Sequence, residues 1–420
     1  MSALTSLTRM WLTRSVKPFL FTKEYDEMLD YEACENLGLY VHIPFCKSIC
    51  TFCPYCKELY SKEKCDRYIE ALLQEIHMVG RGRAVTAEKK RVTSLYFGGG
   101  TPALAAEHLG KIIATIKNYF EITEGIGVEL HPGNVTKEVL QTLQAAGVTK
   151  LSIGIQSFQE KFQRVLGRTA VNAEAMAAVL KQFDFETISM DFIFALPGQA
   201  YEDLKRDIEL AFSVGANHVA IYPFIDFTFT DSKVPVMGKR EKRQLLDDIT
   251  EYCTKQGYTR TSIWTFAKGE NVKYSSMTRD NFLGFGCSAT TLLRKQFKIN
   301  TFSVEEYRKR IAEGRLPTSL TIRFTERQRM VYYLFWTAYS TRVKQGDFEK
   351  FFGVSLKKMY GLELWLAQKM GFITKQGEAY EMTLKGAFYY HYYENFYTLS
   401  YIDKMWGIMR KEAFPERIEL

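Results

Sequence analysis

Cys46, Cys50 and Cys53 stand on one short segment, LYVHIPFCKSICTFCPYCKEL, in the spacing C-x3-C-x2-C. Three thiolates this close on a chain can share a metal centre. Zinc sites usually use two separated C-x2-C pairs, or cysteines with histidines. No second pair follows here, and Cys253 and Cys287 stand alone. Three thiolates on a tight loop suit three irons of a 4Fe–4S cube, leaving the fourth iron open to a small molecule. Zinc, or buried cysteines without metal, are the alternatives. Cys56 is close enough to be a fourth ligand, but a fourth thiolate would block the open iron. It reads as a neighbour of the site, and His42 as a residue that orders the loop.

These residues need a scaffold. Leu39 to Ile43 reads as a short buried strand, and Ile69, Leu72, Leu73 and Ile76 repeat at helical spacing within a helix from about Ser61 to Val79. The cysteines therefore lie on a loop after a strand and before a helix, a common place for chemistry on α/β scaffolds. In TSLYFGGGTP (93–102) a strand ends at Phe97, three glycines follow, and Thr101 and Pro102 suit the cap and first turn of a helix. Three glycines exceed what a plain strand-to-helix turn requires, and they let a ligand approach the backbone. The pattern repeats at 128–134 with Glu129, 150–158 with Gln156, 187–199 with Asp191 inside an apolar run, and 217–225. Helical stretches at 136–145, 172–183 and 200–214 lie between. Alternating strand and helix implies parallel strands joined by crossover helices.

Taken in order, YVHIPFC (40–46), GGGTP (98–102), E-x-x-P-G (129–133), SIGIQSF (152–158), GR (167–168), D-F-I-x-x-L-P-G-Q (191–199) and FLGFGCSA (282–289) resemble the oxygen-independent coproporphyrinogen III oxidase family of the radical S-adenosylmethionine (SAM) superfamily. The match runs over roughly residues 38 to 300. The resemblance implies an α/β fold: an incomplete parallel (β/α)6-type barrel with a smaller, mostly helical, winged-helix-like C-terminal domain. It implies a 4Fe–4S cluster on Cys46, Cys50 and Cys53, and two SAM molecules. Tyr40, Gly99 and Glu129 match positions that hold the SAM on the cluster. Phe52, Gly100, Thr101, Gln156, Arg168, Asp191 and Ile225 match positions around the second, with Arg168 meeting a SAM carboxylate and Asp191 the ribose hydroxyls. The implied activity is cleavage of SAM to a 5′-deoxyadenosyl radical acting on a tetrapyrrole, fed by a flavodoxin- or ferredoxin-type electron donor. The sequence departs from the pattern at Tyr55, where decarboxylating members tend to have cysteine. The same branch holds C-methyltransferases, haem-opening enzymes and haem carriers.

The domain reading is an extension at 1–36, a barrel and its extension at 37–315, and a lid at 316–420. The last begins with an apolar helix at 325–343, then helix, turn and two short strands at 361–390, and ends in a tyrosine-rich tail. That tail reads as packing, with a wall for a flat tetrapyrrole as the rival. The chain has 420 residues and a net charge of +8, either a solubilising excess or attraction for an anionic ligand such as a carboxylate. No dense Lys/Arg block or RNA-binding signature supports nucleic acid. No run reaches the roughly 18–20 apolar residues of a membrane span, and the N-terminus lacks a signal-peptide pattern. These features, with clustered thiols, place the protein in the cytoplasm with reduced cysteines.

Overall fold

The computed structural model describes residues 3–81, 88–232, 234–269 and 280–420. Seven strands run parallel: β1 (Leu37–Ile43), β2 (Leu95–Gly99), β3 (Ile126–Leu130), β4 (Lys150–Gln156), β5 (Thr187–Phe194), β6 (His218–Pro223) and β7 (Asn281–Phe285). Their spatial order is β7-β1-β2-β3-β4-β5-β6. They are buried almost throughout, as parallel strands covered on both faces must be, so they read as near-continuous apolar runs.

Helices α1 (Lys62–Arg81), α2 (Ala106–Lys117), α3 (Lys137–Ala145), α4 (Glu160–Val165), α5 (Ala173–Leu180) and α6 (Tyr201–Ser213) provide the crossovers. Thr136 and Asn172 accept hydrogen bonds from the first turns of α3 and α5, which fixes where those helices start. On α1, Ile69, Leu72, Leu73 and Ile76 are buried, the stripe visible in the sequence, and Tyr68 joins them.

The six βα strands β1–β6 form an incomplete parallel barrel. Antiparallel strands continue the sheet at both ends: Thr259–Ser262 and Thr265–Ala267 beyond β6, and β8 (Thr290–Leu292), β9 (Gln296–Asn300) and β10 (Thr318–Arg323) beyond β7. Leu20–Thr22 and Arg417–Glu419 pair at the outer edge, so both ends of the chain join one sheet. The two outermost strands do not pair with each other, and the barrel stays open.

The apolar helix expected at 325–343 spans Glu326–Tyr339. It stops early because Thr341 takes a left-handed φ of 63°, and Arg342–Lys344 then pairs as a strand. With helices Gln345–Phe352 and Leu356–Lys369 and strands Ile373–Gln376 and Ala379–Met382, this makes the winged-helix order. Met330, Tyr333, Phe348, Phe352, Leu356, Tyr360 and Tyr380 form its own small core. Helix Leu384–Tyr397, a π turn at Thr398–Ile402 and helix Asp403–Met409 follow, and pack Tyr401, Met405 and Met409 into the main core. Among the described residues, no helix is long and apolar enough to cross a membrane.

Candidate functional site

One cavity of about 2020 Å³ runs through the open barrel, from Asn36, Ser94 and Lys150 at the strand starts to the C-terminal ends of β1–β6. Every residue singled out in the sequence lines it: Tyr40, Cys46, Cys50, Phe52, Cys53, Gly99, Gly100, Thr101, Glu129, Gln156, Arg168, Asp191 and Ile225. Gln156 ends β4 at φ +71°, and Ile225 follows the end of β6.

Cys46, Cys50 and Cys53 are free, half-buried thiols on the loop after β1. Burial pushes the Cys46 thiol up to about 11. Burial also raises Cys50, with the nearby Arg168 guanidinium pulling the other way. Among the described residues, the trios whose donor atoms all lie within 4.8 Å of one another are His42–Cys56–Cys287 and Asp66–Glu107–His108. The three loop thiols therefore do not converge as ligands of a single zinc would, since zinc–sulfur bonds of about 2.3 Å bring sulfurs to about 3.8 Å. Wider spacing on one loop suits ligands of separate irons in a cube.

The glycines have a more local reason than the sequence suggests. A Cβ on Gly98 would meet the Tyr40 ring at 2.9 Å, one on Gly99 the His42 ring at 2.7 Å, and one on Gly100 the Phe45 carbonyl at 2.6 Å. The chain's own β1 and cluster loop fill this space, and Gly99 and Gly100 still border the cavity. Thr101 also differs from its expected role. It makes no side-chain cap, a short 3-10 turn (Pro102–Ala105) precedes α2, and its hydroxyl points to Cys46 Sγ at 3.9 Å.

Glu129 is held from two sides. The Gly99 N–H donates to one carboxylate oxygen and the Tyr96 hydroxyl to the other, both at 3.1 Å. Burial, then the negative charge of Asp191, push Glu129 up to about 7. Asp191 accepts from Ser152 at 2.7 Å and more weakly from Ser189 at 3.4 Å, and burial raises it to about 6. Ser189 also meets the buried His218 at 2.8 Å. The Arg168 guanidinium donates to the Gly154 carbonyl at 2.8 Å.

Tyr96, Ser152 and Ser189 were missed in the sequence, although a signal is present. Polar residues recur at every second position inside apolar strands, which puts them on one face. Register then aligns them: Tyr40 beside Tyr96, and Glu129 beside Ser152, Ser152 beside Ser189, Ser189 beside His218. A polar row thus crosses β3–β6 beneath the cavity.

The loop contacts are also specific. His42 Nδ1 lies 3.1 Å from the Tyr40 hydroxyl, and Nε2 lies 3.0 Å from the Cys56 carbonyl. Cys56 is buried and its thiol donates to the Phe302 carbonyl at 3.1 Å, away from the three half-buried thiols.

Residues 40–211 match the family model of the radical SAM superfamily. The heme chaperone HemW of Lactococcus lactis is 29% identical over 372 residues, 83% of this chain and 93% of the relative. The anaerobilin synthase of Escherichia coli O157:H7 is 28% identical, covering 72% of each chain. The oxygen-independent coproporphyrinogen III oxidase of Cereibacter sphaeroides is 28% identical, over 67% of this chain and 68% of its own. In fold, the chain resembles the coproporphyrinogen III oxidase HemN from Escherichia coli: TM-score 0.74, 21% identity, 91% of this chain and 96% of that one. The matched segment, residues 40–211, carries the thiol loop and β1–β5, five of the six strands β1–β6 of the open parallel barrel, and in it the chain resembles the radical SAM superfamily. Over most of its length the chain is similar to heme chaperones, anaerobilin synthase and oxygen-independent coproporphyrinogen III oxidases.

Proposed function

We propose that Cys46, Cys50 and Cys53 hold a 4Fe–4S cluster, and that the protein is a cytoplasmic radical SAM enzyme acting on a tetrapyrrole. When bound, the cluster supplies an electron that splits SAM into methionine and a 5′-deoxyadenosyl radical. The chain's own residues bind and orient. Tyr40, Gly99 and Glu129 surround the SAM at the cluster, with the Glu129 carboxylate accepting from its amino group. Phe52, Gly100, Thr101, Gln156, Arg168, Asp191 and Ile225 surround a second SAM, where Arg168 meets the carboxylate and Asp191 the ribose hydroxyls. Residues 316–420 act as a lid, and a flavodoxin or ferredoxin is the electron donor.

The observation that carries this reading is convergence: residues from six strand ends meet in one cavity beside three free thiols. A single drug-sized ligand fills roughly 300–1,000 Å³, and the cavity of about 2020 Å³ that runs through the barrel is larger than that. Tyr332, Trp336, Tyr339 and Tyr397 line the cavity from the C-terminal part, a wall suited to a flat macrocycle. The names of the matched anaerobilin synthase and coproporphyrinogen III oxidases point the same way.

The test is anaerobic reconstitution, then incubation with SAM and dithionite, with and without coproporphyrinogen III. Mass spectrometry reads 5′-deoxyadenosine, carbon dioxide and vinyl products. Vinyl products establish decarboxylation despite Tyr55. Deoxyadenosine without them redirects the search to haem opening, or to C-methylation, which adds the mass of one methyl from the second SAM. A second reading, a haem carrier, has its own support: the matched heme chaperones of Lactococcus lactis and Bacillus subtilis cover 93% and 95% of their lengths. Absence of deoxyadenosine, together with stoichiometric haem binding and its transfer to an apo-haemoprotein, would favour it.

A further inference from the structure

Three residues that the SAM reading leaves without a ligand meet in one place. His42 on β1, Cys56 beyond the cluster loop and Cys287 after β7 are all buried, and their donor atoms lie within 4.8 Å of one another. The two sulfurs are 3.9 Å apart although their residues lie 231 positions apart in the chain. We propose that His42, Cys56 and Cys287 form a second metal site, for a single zinc ion, distinct from the loop thiols.

The sulfur spacing favours an ion over a disulfide. Two thiolates on one tetrahedral zinc, with bonds of about 2.3 Å, stand about 3.8 Å apart. A disulfide needs about 2.05 Å. The imidazole is already oriented: Nδ1 faces the Tyr40 hydroxyl at 3.1 Å, the outer hydrogen bond that ligating histidines use to fix the ring. Nε2 faces the Cys56 and Cys287 side, with the Cys56 carbonyl at 3.0 Å and the Ser288 hydroxyl at 3.3 Å. That hydroxyl, or a water, takes the fourth position. Two thiolates and one dication sum to zero charge, which lowers the cost of burying them. His42, Cys56 and Ser288 border the large cavity, so an ion has a way in.

Binding balances simply. The Cys56 and Cys287 thiols release two protons to solvent. The imidazole stays neutral: Nε2 gives up its bond to the Cys56 carbonyl for one to the ion, and its proton moves to Nδ1, where it is donated to the Tyr40 oxygen. The bound ion pins the end of the cluster loop to the ends of β1 and β7.

The experiment uses the full chain, purified and cluster-loaded without oxygen, then given zinc chloride and passed over a weak chelating resin. Metal analysis should find about one zinc per chain beyond the iron. Zinc-edge X-ray absorption should show two sulfurs at about 2.3 Å and a nitrogen at about 2.0 Å. Cys287→Ser should lower retained zinc at least about fivefold while iron and circular dichroism stay unchanged. A chain with Cys46, Cys50 and Cys53 all changed to Ala should still retain the zinc, which separates this site from the cluster reading. No retained zinc, a sulfur-only shell, equal zinc in Cys287→Ser, or a Cys56–Cys287 disulfide in the oxygen-free chain would each overturn the proposal. If Cys287→Ser fails to fold, the absorption spectrum of the unaltered chain decides.

Discussion

Glu129 is a carboxylate kept where carboxylates are expensive. It is half-buried at the cavity wall, where the Gly99 N–H and Tyr96 hydroxyl partly offset its loss of solvent. Its folded value near 7 lies above the ordinary value of 4.5. The folded chain therefore holds a proton that the unfolded chain has lost, and apo stability falls as pH rises from about 4.5 through 7. Glu129→Gln should stabilise the apo protein by roughly 1–3 kcal/mol at pH 8 and little at pH 5; thermal melts at both values check this. The same substitution should weaken SAM binding at pH 8 about tenfold or more, because the neutral amide loses its charge-assisted bond to the amino group. It should also flatten the rise in affinity between pH 6 and 8, read by equilibrium dialysis of SAM on the cluster-loaded protein. Cys50→Ala should abolish deoxyadenosine formation while leaving the fold intact, since the thiol is half-buried on a loop; activity that survives would remove the cluster assignment.

Packing of β1, β2 and the loops after them sets the position of that chemistry. The Gly100 N–H donates to the Ile43 carbonyl and the Thr101 N–H to the Phe45 carbonyl, both at 2.8 Å. The glycine loop is thereby laced to the cysteine loop, and Gly100→Ala would set a methyl 2.6 Å from the Phe45 oxygen. Backbone cannot swing aside as a long side chain can. The substitution should cost about 1–3 kcal/mol in urea unfolding and reduce iron retained on reconstitution. Gly110, inside α2, has only Ala146 at 4.0 Å, so Gly110→Ala should stabilise by about 0.5–1 kcal/mol. The two glycines also show what a sequence can reveal. The βα alternation was legible because each strand is a buried apolar run and each helix has its own period. Phe52 and Arg168 end no strand and carry no pattern of their own; the cavity residues were legible mainly because the ordered motifs that carry them resemble a known family. That Tyr40, His42 and Phe45 fill the space above the glycines was not, because cross-strand register does not show in one strand's pattern. Nor could Leu20–Thr22 and Arg417–Glu419 be read as strands: three residues carry too little alternation. The meeting of Cys56 and Cys287 was hidden by their sequence separation of 231 positions.

Across the whole molecule, the C-terminal helix closes what the barrel leaves open. Asp403, at the start of helix Asp403–Met409, accepts from the Thr228 N–H at 2.8 Å and the Thr228 hydroxyl at 2.7 Å. Thr228 lies on the segment that carries Ile225, so this helix is tied to the end of β6. On the other side, Arg410 donates to the Pro54 carbonyl, inside the cluster loop. Trp406 stands between these anchors. Its ring stacks on Phe227 with 9° between planes and touches Tyr55 and Phe302, at centroid distances of 5.9–6.2 Å. One side chain thus joins the cysteine loop, the β6 loop and the C-terminal helix. Trp406→Ala removes the shared ring while leaving Asp403 and Arg410 in place, so the helix should stay attached and the cavity gain a leak. The predicted result is a cluster that bleaches several-fold faster in air, followed by its visible absorbance, because water and oxygen reach the loop more easily. Melting of the apo chain should fall by only a few degrees, as for loss of one half-buried aromatic contact. Bleaching at the unaltered rate would mean that access to the loop runs by another route, and that Trp406 serves packing alone.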